Sequence, residues 1–495
     1  MLNRNSLVVV NLKLIYKVLG SLLFLEALMM LACMGIAIGY KEDDVFPFAS
    51  SAVLTILGGI LMKLHGRDAV NKLSRRDAYL LVSLVWVVFS LFGTLPFLLG
   101  GYIGSFTDAF FESMSGFSTT GATIIDDVEV LPHGILFWRS LTQWIGGLGI
   151  VFMTIALIPS LAGGGGSIRV FAAEATGPIK NKLHPKLSTN VRWIWFVYLF
   201  ISLACMGCYM LFGMNWFEAV NYAMSSAATG GFSINNDSTE YFHSPALEYV
   251  TTAFCFISGI NFMLMYTALV KGRVKSLFKD SEFKLYVTIV FVATAFIMLE
   301  LVFHNHYGVE RAFRSALFQV VSFITTTGLF NDNAALWPHV TWVVLALCMF
   351  IGACSGSTSG GLKCVRGVML FRIVRNELTQ RLHPNAVLPL KVNGVNIPDR
   401  QRVSLLAFLT AYLLLFFLMA FVMIAAGIDN TNAMTICLSS LSNVGPTLGI
   451  EIGPTMSWSV LPCFAKWMCS FMMLVGRLEI FTVLVILTPS FWTKN

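Results

Sequence analysis

AFFESMSGFSTTG, residues 109–121, starts apolar, turns small and hydroxylated, and ends on glycine. A helix needs roughly 20 apolar residues to cross ~30 Å of hydrocarbon, so this stretch is too short to span. The same frame returns three times without a gap. Residues 219–231 read AVNYAMSSAATGG, residues 316–328 read ALFQVVSFITTTG, and residues 433–445 read AMTICLSSLSNVG. Position one is alanine in all four. Position seven is Ser115, Ser225, Ser322 or Ser439, and position thirteen is Gly121, Gly231, Gly328 or Gly445. The glycines lie 110, 97 and 117 residues apart, so the repeated unit is far longer than the frame.

The surroundings repeat too. Each frame lies between two long apolar stretches, giving units over 77–160, 191–272, 283–375 and 403–489. Two further apolar stretches fill residues 1–65, so the sequence predicts ten long spans and four half-span frames. The chain has 495 residues, 56% hydrophobic and 12% charged, with mean hydropathy +0.75. Soluble domains carry about a quarter charged residues. This predicts an all-α polytopic membrane protein. The spans are too long and too evenly apolar for the alternating strands of an outer-membrane barrel.

The net charge of +7 is no sign of nucleic-acid binding, because the basic residues alternate along the chain. Segments 63–76, 169–192, 271–284 and 366–402 hold most of the Lys and Arg; segments 101–138, 214–250 and 428–456 hold none. By the positive-inside rule the basic segments and the N-terminus are cytoplasmic and the frames lie on the outer side. The first apolar run, preceded by Lys13 and Lys17, is too long for a signal-peptide core and reads as a retained helix. The ten cysteines fall almost all in apolar stretches, and the Cys205–Cys208 pair lacks the polar company of a redox or metal site.

A frame of about twelve helical residues is ~18 Å long, so it dips halfway into the membrane and returns. Irregular backbone at that depth is tolerated only when it is packed in protein or lines water. The four frame ends are Ser118–Thr119–Thr120–Gly121, Ala228–Thr229–Gly230–Gly231, Thr325–Thr326–Thr327–Gly328 and Ser442–Asn443–Val444–Gly445. None of these residues is charged. A cation path built from them uses backbone carbonyls and hydroxyls, which replace the hydration shell of a monovalent cation. A short helix ending there turns its negative end to the ion, and glycine permits the backbone turn.

The second apolar stretch of unit three, residues 337–374, is far longer than one crossing, and GACSGSTSGG interrupts it at 352–361. Glycine and hydroxyl residues make this a poor helix. It is read as a loop at membrane depth comprising Gly352, Ser355, Gly356, Ser357, Thr358, Ser359, Gly360 and Gly361. Arg477 lies in MMLVGRLEIFTVLVIL with a long apolar tail beyond it. Buried ionisable residues of this kind usually face a bundle interior. Glu479, two residues on, faces another side of that helix. Lys466 is expected to snorkel to the interface. Arg139 and Gln143 read equally as braces of the frames or as interface anchors. His304 and His306 lack a third ligand for a metal site.

Four span–short-helix–span units in one chain resemble the Trk/Ktr/HKT superfamily of potassium transporters, over about residues 77–490. Thr119–Thr123 (TTGAT), Thr229–Ser233 (TGGFS), Thr325–Gly328 (TTTG) and Asn443–Gly449 (NVGPTLG) carry the resemblance. The two leading spans make the chain similar to the TrkH type rather than to the shorter Ktr type. The resemblance implies a pseudo-four-fold pore in which Gly121, Gly231, Gly328 and Gly445 each supply one filter glycine. Sodium-preferring relatives have serine at the first position, so Gly121 points to potassium. Ala228 and Asn443–Val444 break the four-fold pattern, and selectivity weaker than that of tetrameric channels is expected.

The resemblance further implies that the 352–361 loop is the gate beneath the filter, with Arg477 beside it. It implies potassium as the transported ion with no cofactor, a homodimer in the cytoplasmic (inner) membrane, contact with membrane lipid, and a cytosolic, nucleotide-binding regulatory subunit of the TrkA kind on the basic segments. A proton- or sodium-coupled carrier is the alternative, but the four frame ends lack the titratable relay it would need. A membrane enzyme would need facing acidic or histidine pairs, and Glu26, Glu300 and Glu479 lie in different units.

Overall fold

The computed structural model describes residues 10–70, 73–149, 187–449 and 452–493. The returning half of unit one beyond Gly149, most of the basic segment 169–192 and the first nine residues lie outside these.

The regular structure of the described chain is helical apart from one two-stranded hairpin, Lys391–Val392 against Val395–Asn396. An N-terminal pair, Leu12–Tyr40 and Val45–His65, precedes the repeats. Each unit then supplies a long first helix, a short helix and a returning helix. The long helices are Arg75–Gly93 (continued by Leu95–Leu99), Leu187–Leu211, Ser281–His304 and Asp399–Ala425. The short helices are Phe106–Phe117, Trp216–Ala228, Val309–Ile324 and Asn430–Ser442. The returning helices are His133–Leu148, Pro245–Ser258, His339–Ile351 and Cys463–Arg477.

Local chemistry starts these helices where the sequence changes character. Asn215 and Glu218 form a capping box, and the Asp429 side chain accepts from the amides of Thr431 and Asn432. The later halves of the short helices are buried on every face, with Ala109–Phe117 and Ala223–Ala228 as examples. A helix buried all round sits inside a bundle rather than on its surface. The core therefore lies around the short helices, and the long helices form its outer layer.

Six helices are long and apolar enough to cross a membrane, and two bent pairs raise this to eight among the described residues. Beside the interruption read in unit three, two further returning stretches are sharply bent among the described residues. Pro245–Ser258 turns by 102° into Phe262–Leu269, and Cys463–Arg477 turns by 117° into Phe481–Leu487. At the first break the Asn261 side chain caps the next helix by accepting from the amides of Met263 and Leu264. At the second, Glu479 and Ile480 both take positive φ, 55° and 47°. With His339–Ile351 ending at Gly352, returning helices break in three units, not in unit three alone.

Candidate functional site

The four frame ends share one backbone path. The amide of residue twelve donates to the carbonyl of the serine at position seven: Thr120 to Ser115, Gly230 to Ser225, Thr327 to Ser322 and Val444 to Ser439, at 2.8–3.0 Å. This is the long bond of a Schellman helix end, and it places residue eleven in the left-handed region. Thr119, Thr229, Thr326 and Asn443 sit there at φ 54°, 52°, 56° and 56°. β-Branched residues rarely adopt this conformation, and each such residue costs ~1–3 kcal/mol, so the strain points to function.

Residue thirteen follows at φ 82°, 85°, 80° and 96° for Gly121, Gly231, Gly328 and Gly445. Each glycine leaves room for the next unit. A Cβ on Gly121 would stand 2.2 Å from the Gly230 carbonyl oxygen. One on Gly231 would stand 2.2 Å from that of Thr327, and one on Gly328 2.2 Å from that of Val444. One on Gly445 would stand 2.5 Å from that of Thr120. The contacts run one to two to three to four and back to one. Thr120–Gly121, Gly230–Gly231, Thr327–Gly328 and Val444–Gly445 thus meet end to end in one closed ring. A cavity opens on it, lined by all four glycines and by Asp126 and Ser457. No basic residue occupies the last turn of any short helix, so each helix directs its negative end to its own frame end.

Side chains brace the ring. Arg139 is buried, and its Nε lies 2.9 Å from Glu112 Oε1. It also donates to the Ser233 carbonyl and to Thr123 Oγ1, and its guanidinium lies 4.2 Å from the centre of the Phe232 ring. Gln143 donates to the Gly230 carbonyl at 2.6 Å and accepts from Ser225 Oγ and from the Phe232 amide. Both residues brace the frames, which resolves the two readings the sequence left open. Asn443 Nδ2 donates to Thr120 Oγ1 at 3.0 Å and to the Met473 carbonyl at 2.9 Å, joining unit four to unit one. Lys466 does not snorkel: it is buried and lies 2.7 Å from Asp108 of the first short helix. Above the ring, Asp126 accepts from Ser457 and Ser459, and those hydroxyls hold its carboxyl below the ordinary range.

The 352–361 segment is a loop pinched at its neck, where a Cβ on Gly361 would stand 2.9 Å from the Gly352 Cα. It lies against the helix side of the ring. The Gly360 amide donates to Thr326 Oγ1 at 2.6 Å, and the Gly361 amide to the Ser442 carbonyl at 3.1 Å. Thr358 Oγ1 donates to the Ala227 carbonyl at 3.2 Å. Gly356 accepts from the Phe262 amide at 3.0 Å, and the hydroxyls of Ser357 and Ser359 lie 2.8 Å apart. Arg477 donates to the Thr358 carbonyl at 2.8 Å and to the Gly146 and Gly147 carbonyls at 2.7 and 2.6 Å. It therefore links the loop to the returning helix of unit one.

Three contributors were not read from the sequence. Glu282 accepts from the Ser355 amide and hydroxyl and from the Val365 amide, so it fastens both ends of the loop. Arg366, just past the loop, lies 2.6 Å from Glu479 at the break in unit four. Lys363 is buried and donates to the Ser359 carbonyl. An acidic residue opening an apolar span was the one available signal for Glu282. No group of three or more His, Cys, Asp or Glu residues suited to a metal ion occurs among the described residues.

The family model described as TrkH, cation transport protein, matches residues 46–494. The Trk system potassium uptake protein TrkH of Halomonas elongata is 37% identical over 98% of this chain and 100% of its own length. The protein of the same name from Escherichia coli K12 is 35% identical over 97% and 99%. The crystal structure of the potassium transporter TrkH from Vibrio parahaemolyticus superposes with a TM-score of 0.87, at 36% identity over 97% of this chain and 99% of that one. The chain is a multi-pass helical membrane protein that belongs to the TrkH family of cation transport proteins.

Proposed function

We propose that this chain conducts potassium into the cell through the ring of frame ends. The closed ring carries this reading: four glycines stand at positive φ, each against a carbonyl of the next unit. Carbonyl and hydroxyl oxygens, with no fixed charge in the frame ends, suit a monovalent cation that is shed again as readily as it is bound. The helix ends add partial negative charge without a carboxylate that would retain the ion. The relatives' names as potassium uptake proteins support the choice of ion.

In this reading the N-terminus and the basic segments lie inside the cytoplasmic membrane and the cavity on the ring opens outward. The 352–361 loop, held by Arg477 and Glu282, blocks the path beneath the ring. Helix Cys364–Leu382 leaves the loop and forms the first half of the basic segment 366–402, where a cytosolic nucleotide-binding subunit of the TrkA kind docks and moves the loop. Two copies of the chain form a homodimer. Among the described residues the ring has no titratable relay, which favours conduction over proton coupling.

Rubidium uptake into a host lacking its own potassium transport tests the assignment, with Gly121→Ser and Gly328→Ser beside the unmodified chain. Uptake by the unmodified chain that both substitutions weaken supports it; no uptake, or uptake indifferent to both, overturns it.

A further inference from the structure

Lys363 combines three unfavourable features at one residue. Its side chain is buried, at 2% exposure. Its backbone stands at φ 78° and ψ 133°, in the half of the map that favours glycine. It precedes helix Cys364–Leu382, whose N-terminal end is positive, so a cation is the wrong charge there. Among the described residues it forms no ion pair. The carboxylates within electrostatic reach, Glu479 and Glu282, are engaged by Arg366 and by the loop amides. A buried ammonium without a carboxylate partner is costly.

The ammonium folds back onto the loop, donating to the Ser359 carbonyl and, at 3.3 Å, to Ser359 Oγ. Arg477 already occupies the preceding carbonyl, that of Thr358. Two consecutive loop carbonyls therefore each hold a cation of the chain itself. The next residue, Gly360, touches the ring through Thr326 Oγ1 and lies against the Ser442 carbonyl. Carbonyls of Thr358 and Ser359 with the hydroxyls of Ser357 and Ser359 form the type of oxygen set that takes a monovalent cation.

We propose that these loop oxygens are a cation station beneath the ring, and that the Lys363 ammonium is a tethered cation that fills it while the loop is shut. A permeating potassium ion and Lys363 compete for the same oxygens, so potassium on the loop side favours opening. The inference rests on the potassium-conducting reading and assigns Lys363 a positioning role distinct from the ring's selectivity.

The full chain in proteoliposomes tests it, with rubidium flux measured against internal potassium for the unmodified protein, Lys363→Gln and Lys363→Arg. The unmodified chain should show flux that rises with potassium on the loop side. Lys363→Gln should raise flux at low potassium about tenfold and flatten that dependence. Lys363→Arg should keep it, and the rubidium-to-sodium ratio should stay unchanged in all three. Should Lys363→Gln not be recovered as folded protein, Lys363→Met takes its place. Equal effects of Gln and Arg, or an unchanged potassium dependence in Gln, overturn the proposal. An unmodified chain with no flux would instead sink the conduction reading itself.

Discussion

Gly445 of the fourth unit lies against the carbonyl oxygen of Thr120 in the first: a Cβ on Gly445 would stand 2.5 Å from that oxygen. This contact joins residues 325 positions apart and closes the ring. Gly445→Ala adds that Cβ at φ 96°, where side chains are disfavoured, and pushes the first and fourth frame ends apart. The rubidium-over-sodium flux ratio should fall about tenfold, equal to ~1.4 kcal/mol of discrimination. Gly394→Ala in the hairpin, also at positive φ but with open space around it, should leave the ratio unchanged.

Arg139 and Glu112 form a buried ion pair that ties the first frame's loop to the second's. Removing one partner of such a pair costs ~3–5 kcal/mol because the other charge stays buried and alone. Arg139→Leu should lower the thermal midpoint in detergent sharply, while the double variant Arg139→Leu/Glu112→Leu recovers part of the loss. Equal midpoints for the single and double variants would contradict this role.

Glu282 fastens the loop at Ser355 and Val365. Glu282→Ala removes the acceptor from both ends at once and should raise resting rubidium flux about tenfold by releasing the loop. Glu282→Gln keeps one acceptor oxygen and should raise it less. Proteoliposome flux in the absence of any partner reads both.

Asp126 ties the loop after the first frame to Ser457 and Ser459, which lie between the fourth frame and its returning helix. The hydroxyls hold its carboxyl below the ordinary aspartate range of about 3.9. A lowered folded-state value means its contribution to stability is present above the unfolded value and is lost as pH falls through the folded one. The difference in thermal midpoint between the unmodified chain and Asp126→Asn should hold from about pH 7 to about pH 5 and shrink progressively as pH falls below about 4.

The repeat was legible because it is written in residue types that the backbone needs. Glycine at thirteen is forced by the neighbouring carbonyl, and the alanines and serines of the frame are small residues in helices buried on every face. The left-handed residue eleven was not legible, since threonine there contradicts local preference and is held only by its surroundings. The breaks near Gly259 and Glu479 were hidden by apolar residues on both sides, whereas the glycine-rich 352–361 loop announced itself. Arg139 was visible as a charge, but its partner Glu112 sits inside the first frame, where the sequence offers no pairing rule. Lys466 looked like an interface lysine because Asp108, its partner, is 358 residues away.

Anomalous diffraction from crystals grown in rubidium tests the central claim most directly, because it locates the ion without reference to flux. The account predicts anomalous density on the axis of the ring, within coordination distance of frame-end carbonyls from all four units, and weaker density when sodium replaces most of the rubidium. Density confined to the surface, or beside the ring in contact with one unit alone, would contradict it.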